Sequence, residues 1–338
     1  MRKFNLNLTI INALFLCAFC LPGCTSEKST ASQEPAIDLT KPVWYGKAIS
    51  YSGYREGQNP QKEIYPSQAE ILQDLRIVEK NWKLIRTYGS DQHSEDILQV
   101  IRRENIALKV MLGAWLDGEP GYEADNARQV QNCIRLANAY PDIVIAVNVG
   151  NEILVNWSSH KVPEEKVIAY VKQVQAAVDV PVTVADDYSY WRESNGNLID
   201  VVDFITMHSY PAWHKLDIDT AMAFTIATYE DVRKVAAGKN VVIGEAGWPT
   251  YTEGELHVPR AGDETKQKRY YEELNAWAEK NKVTVFYFEA FDEPWKGSGT
   301  EGHWGLFSEK RKAKPVMQAL YPDLMPAGLT SPGYDDAN

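Results

Sequence analysis

The chain has 338 residues, 44% hydrophobic and 24% charged, with a formal net charge of -11. That balance supports a large globular core and excludes a disordered, collagenous or disulfide-stapled chain. With 46 acidic against 35 basic residues, no Lys/Arg stripe stands out for nucleic acid and no basic patch for an anionic lipid surface.

In chain order, Arg2 and Lys3 precede an apolar stretch at 8–21. It is long enough for the core of a signal peptide and short of the roughly 20 residues of a spanning helix. It ends in Leu21-Pro22-Gly23-Cys24, which resembles the lipobox of bacterial lipoproteins. The resemblance implies that residues 1–23 are removed and that Cys24 carries lipid. That would tie the protein to the bacterial cell envelope through the lipid alone; the alternative is a plain secretory signal with an incidental Cys24. Residues 24–40, polar and Ser/Thr-rich at 25–33, read as a flexible tether. Cys17 and Cys20 leave with the leader, so Cys133 is the one remaining thiol, spaced with Val130, Ile134 and Ala137 on an apolar helical face.

From Val43 onward, β-branched or aliphatic runs alternate with helical patterns. Strands are predicted to begin near Val43, Lys83, Ala107, Ile143, Pro181, Asp203, Asn240 and Val283. Between them lie amphipathic stretches at 67–80, opened by a Ser67/Glu70 capping box, at 162–178, with Pro163 in the first turn, and at 263–280. No phosphate loop or dinucleotide fingerprint follows the first strand, which disfavours a nucleotide-binding sheet. Eight βα units predict an α/β fold, a single (β/α)8 TIM barrel over 41–322, followed by a polar tail at 323–338.

Barrels of this kind place chemistry just past the C-terminal ends of the strands. Past the fourth run comes Gly150-Asn151-Glu152, and past the seventh Gly244-Glu245-Ala246-Gly247-Trp248-Pro249. Two carboxylates on one rim are the minimal equipment for hydrolysing a glycosidic bond.

Asn-Glu after strand four and Glu after strand seven resemble the signature of the clan of retaining (β/α)8 glycoside hydrolases. Val149-Gly150-Asn151-Glu152-Ile153-Leu154 and Gly244-Glu245-Ala246-Gly247-Trp248-Pro249-Thr250 are similar to glycoside hydrolase family 17, the β-1,3-glucanases. So are Ile85-Arg86-Thr87-Tyr88-Gly89, Val110-Met111-Leu112-Gly113, His208-Ser209-Tyr210-Pro211 and Trp304-Gly305-Leu306-Phe307. The resemblance implies that Glu245 is the nucleophile and Glu152 the general acid and then base, their carboxyl groups roughly 5 to 5.5 Å apart. It implies that Asn151 binds the sugar 2-hydroxyl and that Tyr210 bonds Glu245 or the sugar, with Arg86, Tyr88 and His208 as further binding candidates. Glu293, Lys296 and Glu301 match positions lining the family's cleft, although Asp292-Glu293-Pro294-Trp295 and Gly302-His303-Trp304 depart from the plant pattern.

Ten tryptophans serve a sugar cleft well, because a sugar ring stacks on aromatic planes. Trp191, Trp213 and Trp248, directly after strands five, six and seven, are the leading platforms. The histidines lack metal-ligand spacing, so no metal or cofactor is expected. The expected protein is a monomeric hydrolase of laminarin-type β-1,3-glucan. A β-1,3-glucanosyltransferase sharing the same first step is the alternative, and a glycan-binding lipoprotein without catalysis is the rival from another class.

Overall fold

The apolar runs become eight short strands: β1 Ala48–Ser50, β2 Leu84–Arg86, β3 Lys109–Ala114, β4 Val144–Asn151, β5 Val182–Asp187, β6 Ile205–His208, β7 Val241–Ala246 and β8 Val285–Tyr287. In this computed structural model, which describes residues 46–254 and 261–326, all eight pair in parallel and in sequence order, and β8 returns to β1. The result is the predicted closed barrel. Most strand starts fall within two residues of expectation; the first strand begins at Ala48, while Val43, the leader, Cys24 and the tether lie outside the described residues.

The helices are α1 Gln68–Val78, α2 Gln92–Arg103, α3 Glu123–Ala139, α4 Glu164–Gln175, α5 Tyr188–Glu193, α6 Asn197–Val201, α7 Ile218–Val235 and α8 Glu264–Asn281. Local chemistry sets their starts. The Ser67 hydroxyl accepts from the Glu70 N–H while the Glu70 carboxylate accepts from the Ser67 N–H, and Asp263 caps α8 through the Thr265 and Lys266 N–H groups. Cys133 is buried on α3, as its spacing implied.

Two departures from eight equal units occur. The fifth carries two short helices, α5 and α6, and β8 is followed among the described residues by 3-10 turns at Pro294–Lys296, Thr300–Gly302 and Pro322–Leu324. The Gly-rich loop at 297–299 offers no helical face to bury. The third of these turns also shortens the expected tail, since the Leu324 carbonyl accepts from the Ala313 N–H and its side chain packs on the core. No helix among the described residues is long and apolar enough to cross a membrane.

Strand alternation divides the core. Ala48, Leu84, Met111, Ala146, Phe204, Val242 and Phe286 fill the barrel interior, while Ile49, Ile85, Val110, Val182, Val184 and Ile243 face the helices. Alternation then aims the strand ends, and Arg86, two residues past Leu84, points inward.

The alternation is broken on β4 first at Ile145, where Val110 and Met111 pair with Val144 and Ala146, and then just before the site on both β4 and β7. Asn148 pairs with Thr183 and Asn151 with Ala185, so β4 spends one extra residue there, at Gly150 with φ 89°. Met207 pairs with Ile243 and His208 with Glu245, so β7 has its extra residue at Gly244. Each of these last two bulges turns the next polar residue into the barrel mouth.

At the closing seam, Arg311 is buried. Its Nε donates to Asp74 Oδ1 (2.7 Å), and its Nη2 donates to Asp74 Oδ2 (2.5 Å) and to the Gly53 carbonyl (2.8 Å).

Candidate active site

Seven side chains converge at the C-terminal mouth. Glu245 arrives from β7, its Oε1 accepting from Arg86 Nη1 (2.5 Å) and its Oε2 from the Tyr210 hydroxyl (2.5 Å). The second Arg86 nitrogen, Nη2, donates to Asn151 Oδ1 (2.5 Å), and the guanidinium lies under the Tyr88 ring at 4.6 Å. His208 Nδ1 stands 2.9 Å from Glu152 Oε1 and 3.7 Å from Glu245 Oε2.

The surroundings of Glu245 fix its charge. Burial pushes Glu245 up, but the charges of His208 and Arg86 and the hydrogen bonds from Tyr210 and Arg86 outweigh it and hold this carboxyl at about 2. Glu245 is therefore an anion at neutral pH. Burial works against a charged His208, yet the neighbouring Glu245 and Glu152 carboxylates raise its proton affinity. Glu152 is the more open of the pair, with 21% of its side chain exposed against 6% for Glu245.

One oxygen of Glu152, one of Glu245 and a ring nitrogen of His208 all lie within 4.8 Å of one another. Oxygens this close suit a carboxyl pair that works directly on one carbon better than a pair set roughly 6.5–9.5 Å apart to hold an inverting water between them. A cation held by these three would sit against the Arg86 guanidinium, and both Glu245 oxygens already accept hydrogen bonds. The donor set suits proton transfer and attack at an electrophilic carbon better than metal binding.

The structure gathers Arg86, Tyr88, Asn151, Glu152, His208, Tyr210 and Glu245, and it redistributes their roles. Arg86 and His208 are wholly buried behind the carboxylates, so they orient Glu245 and Glu152 and do not face a sugar. Trp191 and Trp248 are also fully buried, with Nε1 donating to the Thr206 carbonyl (2.9 Å) and to the Ala261 carbonyl (2.8 Å). They are core residues and not platforms, because an indole whose N–H finds a backbone acceptor fits a strand–helix interface. Trp213 is 40% exposed and stays available, backed by Trp304 at 5.9 Å. Trp115 and Trp157 are exposed too. The Trp115 ring stacks at 4.9 Å on His160, which is half-buried, its Nε2 standing 2.9 Å from the Asn151 carbonyl.

In the loop after β8, Lys296 Nζ pairs with Glu293 at 2.5 Å and stands 3.9 Å from Glu289. Glu293 is 1% exposed, so it anchors Lys296 rather than contacting sugar. Burial and the Glu293 charge push the Glu289 carboxyl well above its ordinary range. Glu301 lies on the exposed side, within electrostatic reach of Lys296, Glu152 and Glu245.

Glu289 and Asp186 were not singled out in the sequence. Asp186 sits just past the apolar run of β5, so the strand-end test that located Glu152 and Glu245 finds it as well. Burial and the Glu152 charge push its carboxyl up to about 7, against the pull of the Leu154 and Asp187 N–H groups.

Residues 48–305 match the BtgE/BtgC glycoside hydrolase domain. A sequence from Aspergillus niger named glucan endo-1,3-beta-glucosidase btgC is 29% identical over 276 residues, covering 74% of this chain and 40% of that protein. The chain thus spans about two fifths of the length of that relative. The glucan 1,3-beta-glucosidase of Schizosaccharomyces pombe is 27% identical, over 72% of this chain and 79% of its own. Among solved structures, the endo-laminarinase from Formosa Hel1_33_131 superposes with a TM-score of 0.74 at 29% identity, covering 85% of this chain and 89% of that one. The glycoside hydrolase family 17 β-1,3-glucanosyltransferase from Rhizomucor miehei shares the fold, with a TM-score of 0.67 at 24% identity, over 80% of this chain and 95% of its own. With the family match running through every strand of the barrel, the chain belongs to the BtgE/BtgC glycoside hydrolase domain family.

Proposed function

We propose that this protein is a retaining glycoside hydrolase that cleaves β-1,3-glucan, with Glu245 as nucleophile and Glu152 as acid and then base. The observation that carries the reading is the closely spaced pair of unlike carboxyl groups: Glu245, buried and kept anionic by Arg86 and Tyr210, and Glu152, open to the cleft within 4.8 Å. Glu245 attacks the anomeric carbon while Glu152 gives its proton to the departing oxygen. Glu152 then takes a proton from the water that releases the glycosyl group, so two inversions restore the configuration. The names of the A. niger, S. pombe and Formosa relatives support a β-1,3-linked glucan as the substrate. Exposed Trp213, Trp115 and Trp157 offer stacking faces along such a chain.

Purified protein incubated with laminarin tests this. Release of reducing ends whose first anomer, by proton NMR, is β supports the reading; an α-anomer, or binding without cleavage, defeats it. Laminari-oligosaccharide products longer than the substrate would assign the second half-reaction to transfer onto sugar instead of water.

Residues 1–23 are removed and Cys24 is lipidated, which anchors the domain to the cell envelope; Leu21-Pro22-Gly23-Cys24 after an apolar stretch supports this. Cys24→Ser should move the protein from the membrane to the soluble fraction. A wild-type protein without lipid mass on its N-terminal peptide counts against the anchor.

A further inference from the structure

Asp186 is a carboxylate on an apolar face. Along β5, Val182 and Val184 point into the strand–helix core, and regular pairing with β6 sets Asp186 beside Met207, on that same face. It is wholly buried. Its Oδ2 accepts from the Leu154 N–H (2.8 Å) and its Oδ1 from the Asp187 N–H (2.9 Å), and no cation pairs with it among the described residues. A buried carboxylate is costly, and both of its bonds go to backbone donors.

The first of those donors belongs to the turn that carries Glu152. Glu152 adopts φ 50°, a left-handed conformation that is strained for a non-glycine residue and persists only where its surroundings enforce it. Two bonds bracket this residue. Its own N–H donates to the Ala185 carbonyl (2.9 Å), and two residues later the Leu154 N–H donates to Asp186. Adjacent residues of β5 thus grip the turn on either side of the strained Cα.

We infer that Asp186 is a positioning residue for Glu152: its buried carboxylate clamps the turn after β4 and so aims the Glu152 carboxyl at the departing glycosidic oxygen. It touches no reacting atom and acts through the Leu154 N–H. This inference rests on the acid role proposed for Glu152.

The test is a ratio of kcat/KM values for a laminari-oligosaccharide, whose alkoxide needs protonation to leave, and for dinitrophenyl β-laminaribioside, whose phenolate leaves without it. Loss of folded protein lowers both values equally and cancels, so the ratio needs only a trace of active enzyme. Asp186→Asn keeps the size but turns an N–H₂ group toward one of the two backbone donors. It is expected to lower the ratio roughly tenfold to a hundredfold, the scale for misplacing a reacting group by up to about 1 Å. Asp186→Ala leaves both donors without an acceptor and is expected to lower the ratio further. An unchanged ratio in both variants, even with a lower Tm, overturns the inference and leaves Asp186 a structural residue. Glu152→Ala is the reference. If its ratio falls while those of the Asp186 variants do not, only the positioning role fails; if its own ratio is unchanged, the acid assignment fails and takes the positioning role with it.

Discussion

Arg86 and Glu245 reach one another from the ends of β2 and β7, Nη1 standing 2.5 Å from Oε1 with both side chains out of solvent. The same guanidinium holds Asn151, so one fork orients residues from two other strands. Lysine cannot span both. Arg86→Lys is expected to lower kcat/KM by about 10²-fold and to move its acid limb upward, because a carboxyl freed from the fork takes up a proton at a higher pH. The same linkage acts on stability. Glu245 is held at about 2, below the ordinary value near 4.3, so its contribution is present above that ordinary value and lost as pH falls toward 2. Measuring the pH profile of kcat/KM alongside acid-induced unfolding checks both; an acid limb that stays in place would separate Arg86 from Glu245 ionisation.

Replacing either carboxyl separates nucleophile from acid. Glu245→Ala should lose nearly all activity on every substrate. Glu152→Ala should lose it on glucan, keep attack on a substrate with a good leaving group, and accelerate with azide to give a β-glycosyl azide. An α-azide from Glu152→Ala means that the two assignments are exchanged.

Trp191 and Trp213 predict opposite outcomes from the same substitution. Trp191→Ala empties a fully buried site and should cost about 3–5 kcal/mol of stability, visible as a lower denaturant midpoint, with KM for laminarin little changed in the folded fraction. Trp213→Ala removes an exposed indole, so it should raise KM or shorten the preferred oligosaccharide with stability nearly unchanged. A swap of these phenotypes would reverse the placement.

Gly244→Ala tests the bulge on β7. An added Cβ would drive into the Thr206 side chain and close on the His208 ring at 3.2 Å from Nε2. Both groups belong to the packed mouth, so kcat should fall at least tenfold while the circular dichroism of the barrel persists. Full activity in Gly244→Ala would show that the extra residue does not aim Glu245.

The barrel and its two carboxylates were legible because both follow from simple rules: eight apolar runs separated by amphipathic stretches, and polar residues just past the fourth and seventh. Side-chain direction was not. Strict alternation from Asn148 would turn Asn151 away from the interior, and only the extra residue at Gly150 brings it in; pairing register, which a single sequence does not carry, decides this. The same blindness placed Trp191 and Trp248 at the rim. An indole after a strand packs inward or outward depending on whether a backbone carbonyl waits for its N–H, and Thr206 and Ala261 supply those acceptors. Asp186 is not set apart in the sequence from its neighbour Asp187, and an aspartate before a helix reads as a cap, the part that Asp187 does play for α5.

Arg311 bears on how the barrel comes to exist during synthesis. The family match ends at residue 305, yet the bond from Arg311 to Asp74 joins residues 237 apart, where the last strand meets the first. A chain emerging from the ribosome can pair β1 through β7 one after another, but this clasp waits until residue 311 has been made. A fragment cut at the family boundary would leave Asp74 buried beside Arg55 without its main cation. The six residues past that boundary are therefore the latch of the domain, and truncations for expression belong beyond Leu324.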